Sequence, residues 1–259
     1  MIKFFRKIRQ RLLTENKFSK YLLYAVGEIV LVVIGILIAL QINNWNETRK
    51  LRNQELNYLE NLRTDLELNV AELNQYIDIR TSSIESANKV LEYFEDKPLT
   101  DLNDLNFHAT NVYIWHKFTQ HDNTYQELVN SGNLTLISND SIKNGLLNLQ
   151  ALYTKLKNEE AHFRYDTEVL LYEPAYGMID MNDLVKNYTY QVTKGQAGEN
   201  VTLSRANYEA MLKDIKHKNG FVMAVYEFSI MNSQFNEMKD LCNSIIGLIN
   251  KELESEKEK

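Results

Sequence analysis

The chain is 259 residues long, 44% hydrophobic and 25% charged, with a net charge of −6, nine glycines, two prolines and one cysteine. That length suits one sizeable domain or two small ones, so few helix breakers favour long helices, and Cys242 alone excludes an intrachain disulfide. The charge is unevenly placed. Residues 1–50 hold nine Lys/Arg against three Glu, and the remainder holds 20 basic and 32 acidic residues. That argues against nucleic acid as a partner of the acidic body, which would repel phosphate, and suits the basic end to an anionic lipid surface.

The first 20 residues carry Lys3, Arg6, Lys7, Arg9, Arg11, Lys17 and Lys20 against Glu15. Phe, Ile and Leu are interleaved with these charges, so the segment is expected to lie along a membrane surface, with Arg6, Lys7, Arg9 and Arg11 at the interface. From Tyr21 to Ile42 only one charge occurs, Glu28. A spanning helix needs about 20 mainly apolar residues. No small-residue cleavage site follows, so an uncleaved signal anchor is expected. Tyr21, Tyr24 and Trp45 suit the two interfaces. Seven Lys/Arg precede the span, whereas Arg49, Lys50 and Arg52 follow it. That bias places the N-terminus in the cytoplasm.

A carboxylate inside the span needs a reason. At about 100° per residue, Glu28, Val32, Gly35 and Ala39 fall on one helical stripe. Gly35 and Ala39 form a small-xxx-small pair of the kind that lets two helices approach closely. An acid at the bilayer midplane costs about 2.5–3.5 kcal/mol on insertion scales. Glu28 is shallower, roughly 10 Å from Tyr21. Snorkelling toward the basic face and pairing with another helix both remain open. The stripe makes all four residues candidates for helix contact, with a second copy or another membrane protein as partner.

The opening "MIKFFRKIRQ", the segment "GEIVLVVIGILIALQINNWNE", and the later "YLENLRTDLELN" and "SGNLTLISNDSIKNGLL" resemble a domain-of-unknown-function family of single-span bacterial membrane proteins, of flavobacterial type. The resemblance implies a bacterial inner-membrane protein and brings no activity, cofactor or catalytic residue. Type IV pilins also begin an apolar helix with Glu, but five residues after a Gly cleavage site. Here Gly27 directly precedes Glu28, so that likeness fails.

Beyond Trp45 no proline occurs before Pro98. Leu59, Leu62, Leu66, Val70, Leu73, Ile77, Ile84 and Leu91 follow helical spacing, which predicts an amphipathic helix of some 50 residues. Asn69, Tyr76 and Arg80 interrupt a strict heptad there, favouring a bundle helix over a coiled coil. Pro98 ends it, and Thr100 or Asp101 caps a helix over Asn106–His116. Another begins at Asp122 or Asn123 and stops at Gly132. Ser138 or Asn139 opens a long helix that Pro174 and Gly177 end. "VTKGQAGENVT" reads as a loop. A helix over Ser204–Lys218 precedes a turn at Gly220, and a last helix covers Phe221–Leu253, with Cys242 as a small buried side chain.

The expected fold is all-α: residues 1–20 a basic cytoplasmic tail, 21–42 a transmembrane helix, 43–254 a periplasmic bundle of four long helices plus shorter pieces, and 255–259 a charged tail. No Walker loop, GxSxG, GxGxxG or HExxH motif occurs, so no catalytic residue, enzyme activity or cofactor is assigned. Glu159-x-x-His162 has the spacing of a di-metal bundle ligand pair, and Asp214-x-x-His217 is the nearest second pair. Surface or capping roles compete with that reading. The aromatic run "YIWHKFTQHDNTY" is either bundle core or the wall of a small-molecule pocket. The expected partners are the lipid bilayer and either a second copy or another membrane protein. The expected function is an interaction or scaffold component of an envelope complex, with a ligand-binding sensor acting through a partner as the alternative.

Overall fold

In a computed structural model of the chain, residues 18–257 are described. They are helical, with no strand among them. The helices are α1 (Phe18–Phe94), α2 (Leu102–Tyr113), α3 (Asn123–Asn130), α4 (Asp140–Thr167), α5 (Glu173–Tyr176), α6 (Met181–Val192), α7 (Arg205–Met211) and α8 (Ile215–Lys257). The chain divides into two units, residues 1–57 and 58–259.

In the first unit the described residues belong to α1. None of its most apolar stretch is buried, and Leu23, Ile29, Leu31, Val32 and Ile42 all stand exposed. Trp45 is exposed too, with the Arg49 guanidinium 6.0 Å from its ring centre. Arg6, Lys7, Arg9 and Arg11, and the side chains of Tyr21 and Tyr24, lie outside the described part of the structure.

The second unit has its own apolar core, built on three long helices: the 58–94 stretch of α1, α4 and α8. The four long helices expected from the sequence become three. The stretch from Ser204 is broken at Leu212–Asp214, where Asp214 accepts the Lys216 N–H at 3.0 Å and starts α8. α8 then runs through Gly220 without a turn. α8 lies antiparallel to both other long helices. Arg63 meets Asn250 and Thr81 meets Asn232 on the α1 side, and Asn139 meets Glu252 and His162 meets Glu227 on the α4 side.

Caps set the helix starts. Asp101, Asn139 and Asp180 each accept two backbone N–H groups, opening α2, α4 and α6, as short polar acceptors do at N-caps. Gly132 follows α3 in the left-handed conformation, φ 73°, where only glycine is unstrained. Pro174 does not end the helix that contains it. The backbone widens to a π turn over Glu168–Tyr172, and the Glu173 N–H reaches back five residues to the Glu168 carbonyl. Pro174, which has no N–H to place, then falls in the first turn of α5. The helix stops at Gly177.

α6 had no counterpart in the sequence reading. It packs on α2 through a buried amide pair. Asn106 Nδ2 donates to Asn187 Oδ1 at 2.9 Å, Asn187 Nδ2 donates to Asn103 Oδ1 at 2.8 Å, and the Tyr208 hydroxyl donates to Asn106 Oδ1 at 2.7 Å.

Candidate functional site

The buried face of α1 in the bundle follows positions 59, 62, 66, 69, 73, 76, 80, 83, 87 and 90. The steps alternate three and four, the spacing of a coiled-coil seam. Asn69, Tyr76 and Arg80 therefore do not disrupt the pattern but sit on it. Asn69 and Arg80 are buried and Tyr76 is half-buried.

Their polar groups meet a backbone. Between α2 and α3 the chain runs without helix from Trp115 to Asp122, and such a segment cannot satisfy its own N–H and C=O groups. Asn69 donates to the His121 carbonyl at 2.8 Å and accepts the His121 N–H at 2.7 Å. The Tyr76 hydroxyl donates to the Lys117 carbonyl. Arg80 Nη2 donates to the His116 carbonyl at 2.5 Å. From α4, Glu160 accepts the Phe118 N–H at 2.9 Å and Lys157 donates to the Phe118 carbonyl at 3.0 Å. Lys157 also pairs with Glu160. The segment is thus strapped into the bundle by polar side chains from two helices.

The middle of the aromatic run lies in this strap; Tyr113 and Phe118 are buried and Trp115 and Tyr125 half-buried. Phe118 is buried among Tyr76, Tyr153 and Phe235. Trp115 stacks on Phe163 with ring centres 5.6 Å apart. The nearby cavity, lined by Leu62, Asn69, Gln120, Tyr125 and Leu149, has a volume of about 10 Å³. That holds one water and no small molecule.

Arg80 is wholly buried, its guanidinium 4.7 Å from the Phe228 ring centre. Burial pushes its pKa down to about 10, and Glu160 opposes the shift. The group therefore keeps its charge at neutral pH, deep in the unit.

One face of α4 and one of α8 bring together His162, Asp166 and Glu227. His162 Nδ1 is 3.0 Å from Glu227 Oε1. One ligand atom from each of the three lies within 4.8 Å of the others. Glu227 is 3% exposed, and its Oε2 has no N–H or hydroxyl donor. Burial first, and the Asp166 carboxyl second, push the Glu227 carboxyl up to about 7 against the pull of His162. His162 is exposed and Asp166 half-exposed, so the cluster opens to solvent on one side.

Only one of the four metal-ligand residues suggested by spacing enters this cluster. Glu159 is left out of it. His217 and Asp214 form a local pair at the start of α8, Nδ1 to Oδ2 2.9 Å. His217 and Glu227 are ten residues apart on α8, about 15 Å, so the two Asp/Glu–His pairs do not assemble one di-metal site. Cys242 is buried and its thiol is pushed up to about 12, which leaves it an inert core side chain.

On α1 the helical turn brings Glu28, Val32, Gly35 and Ala39 onto one face. Glu28 is half-exposed, Val32, Gly35 and Ala39 are exposed, and, its own helix backbone and chain neighbours aside, nothing described lies within 4 Å of where a Cβ on Gly35 would stand.

A family model described as a family of unknown function (DUF6090) matches residues 28–171. No curated protein and no solved structure matches the chain.

Proposed function

Because the chain belongs to DUF6090, whose function is unknown, its activity has to be read from its geometry, and we propose a membrane-anchored interaction protein, a scaffold component of a bacterial envelope complex. Residues 21–42 cross the inner membrane once. Residues 1–20 stay in the cytoplasm, and residues 43–254 form a periplasmic domain followed by a charged end. The observation that carries this reading is the apolar stretch of α1, none of which is buried among the described residues. Apolar side chains at such density need a cover of lipid or of another helix. Within lipid, association relies on close backbone approach and polar contacts. The Glu28, Val32, Gly35 and Ala39 face offers both, to a second copy or to another membrane protein.

Cross-linking of the full chain in membranes, followed by identification of the linked species, tests the assignment. Gly35→Leu, which puts bulk where nothing now stands, is expected to weaken the linked complex, as is Glu28→Gln. Unchanged complexes in both variants would reject the stripe as the contact face. The absence of any linked species in the wild type would reject the interaction role itself.

A further inference from the structure

The geometry points to a divalent-metal site formed by His162, Asp166 and Glu227, which takes a first-row transition ion such as Zn²⁺ or Mn²⁺. His162 and Asp166 are one helical turn apart on α4, a spacing that aims both side chains the same way. Glu227 faces them from α8 across the antiparallel helix pair. Two ligands bound about 2.1 Å from one ion stand roughly 3.0–3.4 Å apart. The His162 Nδ1 to Glu227 Oε1 distance of 3.0 Å already meets that spacing. The remaining separations, up to 4.8 Å, close by side-chain rotation of His162 and Asp166, the two members that face solvent.

A second observation singles this cluster out from ordinary surface acids. Glu227 is almost completely buried, and its Oε2 has no N–H or hydroxyl donor, although buried carboxylate oxygens are normally hydrogen-bonded. The group its carboxyl meets there is the Asp166 carboxyl, with a ligand atom within 4.8 Å, and two carboxyls hydrogen-bond only by sharing a proton. A bound cation would take the place of that proton and satisfy both carboxylates together. The donor set of one imidazole and two carboxylates fits Zn²⁺, Mn²⁺ or Fe²⁺ better than Mg²⁺, which seldom takes an imidazole. Three protein ligands leave coordination positions open to water on the solvent side. The site lies within residues 58–259 and does not rest on the membrane assignment.

Full-length protein in detergent, stripped with a chelator, would be titrated with ZnCl₂, MnCl₂ and MgCl₂ by calorimetry. Wild type is expected to take up one Zn²⁺ or Mn²⁺ per chain and to bind Mg²⁺ far more weakly. His162→Ala and Glu227→Gln are each expected to weaken binding by at least about tenfold, and Glu159→Gln to leave it unchanged. Cobalt substitution should give visible ligand-field bands in wild type that His162→Ala abolishes. Melting curves in chelator check that each variant folds. Asp166→Asn, at a half-exposed position, replaces Glu227→Gln if that variant does not. The site is rejected if wild type binds no ion, if Mg²⁺ binds as well as Zn²⁺, or if the ligand variants bind like wild type.

Discussion

His217 shows how one residue can make the bundle sensitive to acid. It is wholly buried at the start of α8. One ring nitrogen meets Asp214 at 2.9 Å, and the other, Nε2, has no partner. Burial pushes the imidazole below its ordinary value, Asp214 pulls the other way, and Lys216 adds to the lowering. A histidine with a depressed folded pKa is neutral in the fold and protonates more readily when unfolded. Its contribution is therefore complete above about pH 6.5 and is lost as pH falls below that value. One such proton changes stability by at most about 1.4 kcal/mol per pH unit. His217→Asn is expected to lose less melting temperature than wild type between pH 7.5 and 5.5. Equal losses in thermal melts at matched ionic strength would refute the assignment. The sequence showed Asp214-x-x-His217 but not its meaning. As a metal-ligand pair it needed partners from other helices. As a cap and a buried ring it needs only its own turn, and the signal for that, an Asp directly before the first helical residue, Ile215, was present. His162 was also legible as a candidate ligand. Asp166 is visible four residues along, but Glu227 is 65 residues away, and only the register of α4 against α8 selects it.

At the scale of elements, the same α8 contains two glycines with opposite roles. A Cβ at Gly220 would stand 2.4 Å from Leu171 Cδ2 and 2.7 Å from Cγ. Leu171 is fully buried in the π turn, so its side chain is packed on all sides. The glycine lets the widened backbone pack directly on α8. At Gly247 nothing lies within 4 Å, and the position is exposed. Alanine improves a helix interior by about 1 kcal/mol over glycine where space allows, whereas overpacking a filled core costs about 1–3 kcal/mol. Gly247→Ala should raise stability by about 0.5–1 kcal/mol, and Gly220→Ala should lower it by about 1–2 kcal/mol. Denaturant unfolding of both variants decides. If both stabilise, the close contact at Leu171 is wrong. Sequence alone read Gly220 as a turn because glycine punctuates helices far more often than it admits a neighbour. Pro174 was read as a stop for the same reason, since a π turn that absorbs a missing N–H leaves no local signature. α6 was legible and overlooked: Met181, Leu184, Val185, Tyr188 and Val192 follow helical spacing, and Asp180 before them marks a start. By contrast α2, α3 and α4 began close to where their Asp and Asn residues indicated. The long amphipathic stripe of α1 is legible in its first half, where Leu59, Leu62, Leu66 and Leu73 are buried, but Val70, Ile77, Ile84 and Leu91 fall beside the seam, which passes instead through Asn69, Tyr76 and Arg80. They lie on the buried face because the partner there is a backbone strap, which apolar side chains cannot satisfy.

At the scale of the whole molecule, the two units make different demands on solvent. Residues 58–259 enclose their own core, whereas the apolar part of α1 is not buried among the described residues. Placed in a bilayer, that helix has two possible directions, and flanking charge chooses between them. Seven Lys/Arg lie within the first 20 residues, against Arg49, Lys50 and Arg52 just after the span. Only charges within about 15–20 residues of the span ends count, and acidic residues contribute little. The strongly acidic body therefore does not decide the direction, and the basic tail does. An activity reporter that works only in the periplasm, fused after Lys259, is expected to be active in the wild type. Replacing Lys3, Arg6, Lys7 and Arg9 by Gln leaves three basic residues on each side. The reporter should then lose about half its activity as the population divides between two orientations. A cytoplasm-only reporter at the same position should rise in step. A wild-type fusion active only in the cytoplasm would reverse the orientation. Full periplasmic activity in the four-residue variant would show that something other than flanking charge, such as a partner helix on the Glu28 face, holds the anchor in place.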